Sequence, residues 1–360
     1  DWTLLDTLFE PIGTAGGAPT HALYRAEDAL YLGSGIIAVA NSLEEIRLFR
    51  VDGSFVRAFG RQGEGPEEFG RLSRLFRLAD ATLFAIDGQR QRAIRFDTLG
   101  QAISDFRLSR EHPREGVSGY VVLGPNRVMT IGNSLNHMPV STTQMLFRPQ
   151  VPLLVFDSAG GAREVGTVIG RPRVIKEGSF RNQPLGPTTL IARWKKGAVL
   201  SFGTDARLDF YDSDGALVQV LEPPRVPVPV TGQTISDWET EIRDLRRDRG
   251  MPADGPLYPS GWVLQFPDSL PVYDRIVTDD RGCVWARVFR TPGERRVLWD
   301  VIDPTNQSMA SFSLPSNTII TDVNDGLVVG IGTDELGVQR IILFEVDTGV
   351  DSSDLDCDAG

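Results

Sequence analysis

Six times in this chain of 360 residues an apolar strand ends in aspartate and runs straight into a glycine or asparagine turn. The instances are Phe49-Arg50-Val51-Asp52-Gly53, Phe96-Asp97-Thr98-Leu99-Gly100, Phe156-Asp157-Ser158-Ala159-Gly160, Tyr211-Asp212-Ser213-Asp214-Gly215, Ile302-Asp303-Pro304-Thr305-Asn306 and Val346-Asp347-Thr348-Gly349. Aspartate bonds its own downstream backbone and glycine supplies positive φ, so each instance reads as a hairpin. Asp52 and Asp97, and again Asp303 and Asp347, are about 45 residues apart, the size of a four-stranded unit in a radially repeated β fold. The longer intervals contain insertions.

The strands of a unit can be read directly. The second predicts Leu72–Leu78, Thr82–Ile86, Ala93–Phe96 and Ala102–Leu108, and the fourth Thr189–Trp194, Ala198–Phe202, Leu208–Tyr211 and Leu217–Leu221. The sixth runs Thr318–Val323, Leu327–Ile331 and Arg340–Val346 and then lacks a fourth strand. Leu4–Phe9, apolar and otherwise without a partner, is expected to supply it, because a ring of sheets closes without an exposed edge only when one is completed this way. The expectation is an all-β six-bladed β-propeller over residues 1–350 with four-stranded blades. The N-terminal strand completes the last blade, a helical insertion spans 223–271, and an acidic tail covers 351–360.

Composition agrees, with 37 glycines and 23 prolines among few helical patterns. The net charge of -11 argues against non-specific nucleic-acid binding, which needs a basic surface. No run approaches the ~20 apolar residues of a membrane span. The chain opens on Asp1 rather than Met, as a processed mature chain or a trimmed one would; the first reading gives the expectation of a secreted, periplasmic or cell-surface location. Cys283 and Cys357 read either as one disulfide of an oxidising compartment or as two free thiols.

The segment Phe59-Gly60-Arg61-Gln62-Gly63-Glu64-Gly65-Pro66-Glu67-Glu68-Phe69 resembles the link between blades in NHL-type propellers, and the preceding Ile36–Phe59 is similar to an NHL unit. Phe266-Pro267-Asp268-Ser269-Leu270-Pro271, followed by Asp279-Asp280-Arg281-Gly282 and Val284-Trp285, resembles the fifth blade of bacterial six-bladed propellers. Such proteins are usually secreted or envelope-attached, often as lipoproteins. The resemblance implies a fold and a location and carries no activity. The third to fifth units depart from the pattern, being long and without the Gly-rich link.

In such blades, turns between the first and second strands and between the third and fourth share one face. Here they are short. The opposite face receives every insertion: Arg61–Arg71, Ser109–Ser118, Ser134–Pro149, Ile169–Pro187 and Pro223–Pro271. Long loops on a rigid scaffold are where binding residues concentrate, so function is expected on that face. The last insertion carries a helix with Ile235, Trp238, Ile242 and Leu245 on one side, a capping box at Ser236 and Glu239, and a stop at Gly250. Trp238 pins that helix to the ring or belongs to a lid over the channel.

His21, His112 and His137 all fall on the long-loop face and would suit a zinc site, although no pair has short ligand spacing. Asp354, Asp356 and Asp358 alternate as in calcium loops, but the glycine and bidentate glutamate of such a loop are missing, which favours a solvated tail. Arg171, Arg173, Lys176 and Arg181 face Glu177 alone within their segment. They meet an anionic ligand or pair with Glu64, Glu67 and Glu68; both readings stand at this point. No nucleophile elbow or phosphate loop is present, and no residue is assigned a catalytic role.

The functional expectation is a non-catalytic extracytoplasmic module, alone or as a subunit of an assembly, that binds a protein or carbohydrate partner. Its candidate ligand-binding residues are Arg61, His112, His137, Arg171, Arg173 and Trp238, with no cofactor. The alternative is a metal-dependent hydrolase or lyase, using zinc or calcium, at the channel mouth.

Overall fold

The computed structural model describes residues 3–4, 23, 25–42, 45–78, 82–97, 99–108, 117–132, 139–257, 260–334 and 337–347. Among the described residues the chain is all-β apart from one helix, and six antiparallel sheets have four strands each. The first is Ala26–Gly33, Ile36–Asn41, Glu45–Arg50 and Phe55–Phe59. The second is Leu72–Arg77, Leu83–Asp87, Arg92–Phe96 and Ala102–Arg107, and the third Val117–Gly124, Arg127–Gly132, Gln150–Asp157 and Ala162–Ile169. The fourth is Leu190–Trp194, Gly197–Ser201, Leu208–Tyr211 and Leu217–Leu221, and the fifth Tyr273–Thr278, Val284–Val288, Arg296–Asp303 and Ser308–Pro315. The sixth is Thr318–Asn324, Leu327–Thr333 and Gln339–Asp347, completed by Thr3–Leu4 from the other end of the chain.

That completion uses the register Thr3↔Asp347 and Leu4↔Val346. It agrees with the expected closure at Leu4; the remainder of the expected strand, 5–9, lies outside the described residues. The first strands of the six sheets neighbour one another in sequence order, and the first strand of the sixth returns to that of the first.

Each hydrophobic cluster lies between two consecutive sheets. Ile46, Leu48 and Leu30 of the first sheet meet Leu75, Ile94 and Phe96 of the second. Trp285 and Trp299 of the fifth meet Ile320 and Val328 of the sixth, and Leu327, Val329 and Leu343 of the sixth meet Ile37, Val39 and Phe49 of the first. Because both faces of every sheet are covered, the second strands are apolar on successive residues. Leu83–Asp87 and Gly197–Ser201 are buried at every position.

The aspartate turns form as the residues require. Asp97 Oδ1 accepts the N–H groups of Leu99 and Gln101 at 2.8 Å each, and Asp212 Oδ1 those of Asp214 and Ala216 at 2.8 and 2.9 Å. The glycines of these turns do more than turn. At Gly100 (φ 76°) a Cβ would come within 2.7 Å of the Phe59 ring on the preceding sheet, and at Gly215 (φ 79°) within 2.6 Å of Val165. A third hairpin, at Asp303, bonds Thr305 and Asn306 N–H instead. The Asp347 turn continues beyond the described residues.

The insertion leading to the fifth sheet is anchored by an ion pair between half-buried Arg225 and fully buried Asp300. Asp300, with 0 % of its side chain exposed, accepts Arg225 Nε at 3.0 Å, a second bond from Arg225 Nη2, Ser311 Oγ at 2.6 Å and Tyr273 OH at 3.2 Å. Burial first, and the Asp300 charge second, push the Tyr273 phenol up, so it stays a neutral donor. Asp300→Ala would leave the half-buried guanidinium and the buried phenol without their acceptor. It should cost about 3–5 kcal/mol in urea unfolding, with little change in m; a loss within the range of ordinary surface substitutions would show that the anchor contributes nothing.

Candidate functional site

The innermost strands enclose a channel, and its polar residues follow a recurring irregularity. Register shifts fall between Ala26 and Asp28, Leu72 and Arg74, Ser118 and Tyr120, Tyr273 and Arg275, and Ile320 and Asp322. A bulge re-aims the side chain beside it, and in five of the six inner strands the residue just past the shift is ionisable. The four charged ones, Asp28, Arg74, Arg275 and Asp322, form with Arg77 and Arg193 a charged interior that the sequence reading did not single out. The available signal was a charge inside a strand otherwise read as apolar, as in Leu72-Ser73-Arg74-Leu75-Phe76-Arg77.

Two channel aspartates link neighbouring sheets. Asp28 Oδ2 accepts Leu75 N–H at 3.0 Å, and Asp28 faces Arg74 at 3.7 Å. Asp322 Oδ2 accepts Tyr31 N–H at 2.9 Å and faces Arg77 at 3.3 Å, while Arg77 also donates to the Tyr31 carbonyl. Burial raises both carboxyls above their ordinary values, outweighing the guanidinium beside each. Burial likewise pushes Arg275 down to about 9, with Arg74 adding to the effect; its Nε donates to the Ile320 carbonyl at 3.0 Å. A cavity of about 390 Å3 occupies this channel. Its walls include Lys195, Asp280, Gly282 and Asn324, the short turns after the first strands, and none of the long inserted loops.

The long loops build a separate layer. Met145–Phe147, Arg173–Lys176 and Ser179–Asn182 form a three-stranded sheet, which the sequence reading treated as loop. This small sheet sits against the end of the helical insertion. Gln144 bonds both the N–H and the carbonyl of Val263, at 2.8 and 2.6 Å, and Lys176 Nζ donates to Gly261 O at 2.7 Å. The Arg181 guanidinium lies 5.7 Å from the Trp262 ring centre.

The basic segment is thereby divided. Arg181 pairs across with Val174, and Arg173 with Asn182, so pleat alternation sends Lys176 and Arg181 to one face and Arg173 to the other. Lys176 and Arg181 hold the insertion in place. Arg173 stacks on Phe180 at 4.6 Å, and partial burial together with Arg171 beside it pushes Arg173 below its ordinary value. Arg171 is exposed and has no carboxylate within ion-pair distance among the described residues. The glutamates considered as partners are engaged elsewhere: Glu68 with Arg61 at 2.6 Å, Glu64 with Arg90 at 3.6 Å, and Glu67 with the Ala102 N–H at 3.2 Å. Arg61 is therefore half of an ion pair within its own loop.

The helix spans Gly232–Asp248 and starts a turn earlier than expected. Thr231 caps it and Thr234 returns the bond, in place of Ser236 and Glu239, and Ser236 instead lies inside the helix with its carbonyl accepting Thr240 Oγ1. Gly250 follows the cap at φ 68°. Trp238 is half-buried edge-on against Phe266, with ring centres 5.4 Å apart, so it closes the insertion on itself. Glu241 ties the helix to the fifth sheet through Arg290 at 2.6 and 2.7 Å and through the Gly293 N–H at 2.7 Å. Leu245 remains exposed.

His21, His112 and His137 lie outside the described residues, as do Asp354, Asp356, Asp358 and Cys357. Among the described residues no group of three His, Cys, Asp or Glu side chains is placed to hold a metal. Cys283 is fully buried in the cluster between the fifth and sixth sheets, and no described cysteine is free. No helix of the described residues is long and apolar enough to cross a membrane.

Neither a family model nor a curated protein sequence matches the chain. Among solved structures it is similar to a DUF4221 family member from Bacteroides vulgatus, with TM-score 0.54 and 9% identity over 90% of this chain and 93% of that one. It is also similar to a candidate exported protein from Bacteroides fragilis, with TM-score 0.51 and 11% identity over 96% and 94%. A gluconolactonase from Xanthomonas campestris aligns at TM-score 0.47 and 11% identity over 89% and 86%. The first two are β-propeller-like proteins, and at such identities the likeness extends to the fold alone: this chain has a β-propeller fold.

The raised Asp28 carboxyl gives a pH dependence. The folded protein holds this proton more tightly than the unfolded chain, so its contribution is present below the unfolded carboxyl value and lost as pH rises through the folded one. Asp28→Asn keeps an acceptor for the Leu75 N–H. Its stability relative to wild type should rise as pH is taken upward from the ordinary carboxyl value of about 4 in urea unfolding; a difference that stays flat with pH would contradict the raised carboxyl.

Proposed function

We propose that the chain is a six-bladed, extracytoplasmic β-propeller, bacterial and of the NHL-like type, that binds a protein or carbohydrate partner through its long-loop face without catalysing a reaction. Six sheets of four strands in one neighbour cycle support the blade count. The observation that carries the binding role is the small sheet on the inserted loops. It is braced by Gln144, Lys176 and Arg181, and it leaves Arg171 exposed beside a ring-stacked Arg173. A guanidinium held on an aromatic ring has lost little further entropy when it meets a carboxylate or sulfate, and arginine suits both geometries. The partner therefore presents anionic groups.

Immobilised heparin, alginate and polyglutamate, with neutral dextran as control, test this. The wild type should bind at least one anionic polymer with an affinity that falls as salt rises. Arg171→Glu with Arg173→Glu should lower that affinity by about tenfold or more, as expected for reversing two charges that make charge-assisted bonds. Equal binding by the double variant would remove the basic face from the reading.

The extracytoplasmic location is supported by the resemblance to a candidate exported protein and by the even cysteine count. Non-reducing peptide mapping of protein purified from its native compartment should find Cys283 joined to Cys357. Two alkylatable thiols would count against both the bridge and the oxidising location.

A further inference from the structure

The channel cavity has a charge imbalance that the long-loop reading leaves unused. Of the guanidinium groups on its wall, Arg74 is answered by Asp28 and Arg77 by Asp322. Arg193 is not answered. Its Nε donates to the Lys195 carbonyl at 3.2 Å and its Nη1 to the Arg77 carbonyl at 3.1 Å, and among the described residues Nη2 meets no acceptor and no carboxylate lies within ion-pair distance. Burial, then the Arg77 charge, push Arg193 below its ordinary value, as expected of a cation held without a counter-charge. Lys195, at the rim, lies 5.1 Å from the Trp194 ring centre and likewise has no carboxylate partner among the described residues.

The nearby carboxylates are committed elsewhere. Asp279 accepts the Cys283 N–H at 2.8 Å and Trp285 Nε1 at 3.1 Å, and Asp280 accepts the Asp325 N–H at 3.3 Å. A partly desolvated guanidinium without an anion is costly, and it is relieved by any ligand that carries a carboxylate to it. The remaining wall is mixed, with Tyr120, Thr278, Thr321 and Asn324 beside Phe76, Ile191 and Ile276 around the same cavity of about 390 Å3, within the range of small-molecule sites.

We propose that the channel binds a small monocarboxylate, its carboxylate paired with Arg193 and drawn in by Lys195, entering from the short-turn side. This site is independent of the long-loop face and does not rest on it.

Benzoate and hexanoate are the probes, with benzamide and hexanamide as neutral isosteres, followed by calorimetry and thermal unfolding. At millimolar concentration a carboxylate should raise the melting temperature saturably and its amide should not. Arg193→Gln should weaken carboxylate binding about tenfold or more, the scale of one lost charge-assisted bond, and Arg193→Lys should restore part of it. Asp322→Asn should tighten binding, because it leaves Arg77 as a second unanswered cation; a purely structural Arg193 would not produce that opposite sign. Lys195→Gln, at an exposed rim position, should weaken binding severalfold and provides a readout should Arg193→Gln fail to fold. Arg171→Glu with Arg173→Glu should leave the effect intact. Absence of saturable binding by either carboxylate, equal binding of the amides, or undiminished binding in both Arg193→Gln and Lys195→Gln would overturn the proposal.

Discussion

Face-to-face packing of sheets that are apolar on both sides is the interaction on which this structure depends. A sheet with one wet face can end a domain; a sheet with two dry faces must have a neighbour on each side. When every sheet in a series has that property, an open row would leave two apolar faces in water, so the row returns on itself. The contact between Leu327, Val329 and Leu343 of the last sheet and Ile37, Val39 and Phe49 of the first is that return. The pairing of Leu4 with Val346 reinforces it along the strand direction.

Closing the row creates the channel and determines its chemistry. Inner strands have no strand partner on their channel side, so backbone groups there need other acceptors and donors. Asp28 and Asp322 provide two of them, each reaching a backbone N–H of an adjacent sheet. Placing carboxylates there brings in arginines, and among the described residues the arginines outnumber the carboxylates available to them. The charged interior is thus a consequence of the architecture before it is a binding site, and Arg193, left over on the cavity wall, is where a ligand gains most. At the other end of the ring the insertions face no such constraint. They fold on one another, with Lys176 and Arg181 consumed in bracing the added sheet.

Much of the fold was legible because each local signal has a local cause. The turn at Asp97 is held by bonds to Leu99 and Gln101, partners within four residues, so its five-residue motif was sufficient. The fourth sheet followed from its strand lengths and turn chemistry. The helix was readable from Trp238 and Ile242, but its first turn was not: Thr231 and Ser236 are both competent caps, and the choice depends on where the chain leaves the strap anchored by Arg225 and Asp300. The small sheet at 145–182 escaped notice because its strands are three and four residues long and its middle strand carries charge at both ends.

By itself the sequence determined the repeat, the hairpins and the burial of both sheet faces, since backbone bonding and periodic apolarity act over a few residues. It also determined that a basic segment exists in an acidic chain. Only the tertiary structure decided which of those bases face inward, because Arg173 and Arg181 differ by the pleat of one paired strand. It alone decided that Arg74 and Arg77 meet carboxylates while Arg193, among the described residues, does not. Those partners come from strands far apart in sequence, brought around one channel by the closing of the ring, and charge balance across such distances is a property of the assembled sheets rather than of any segment.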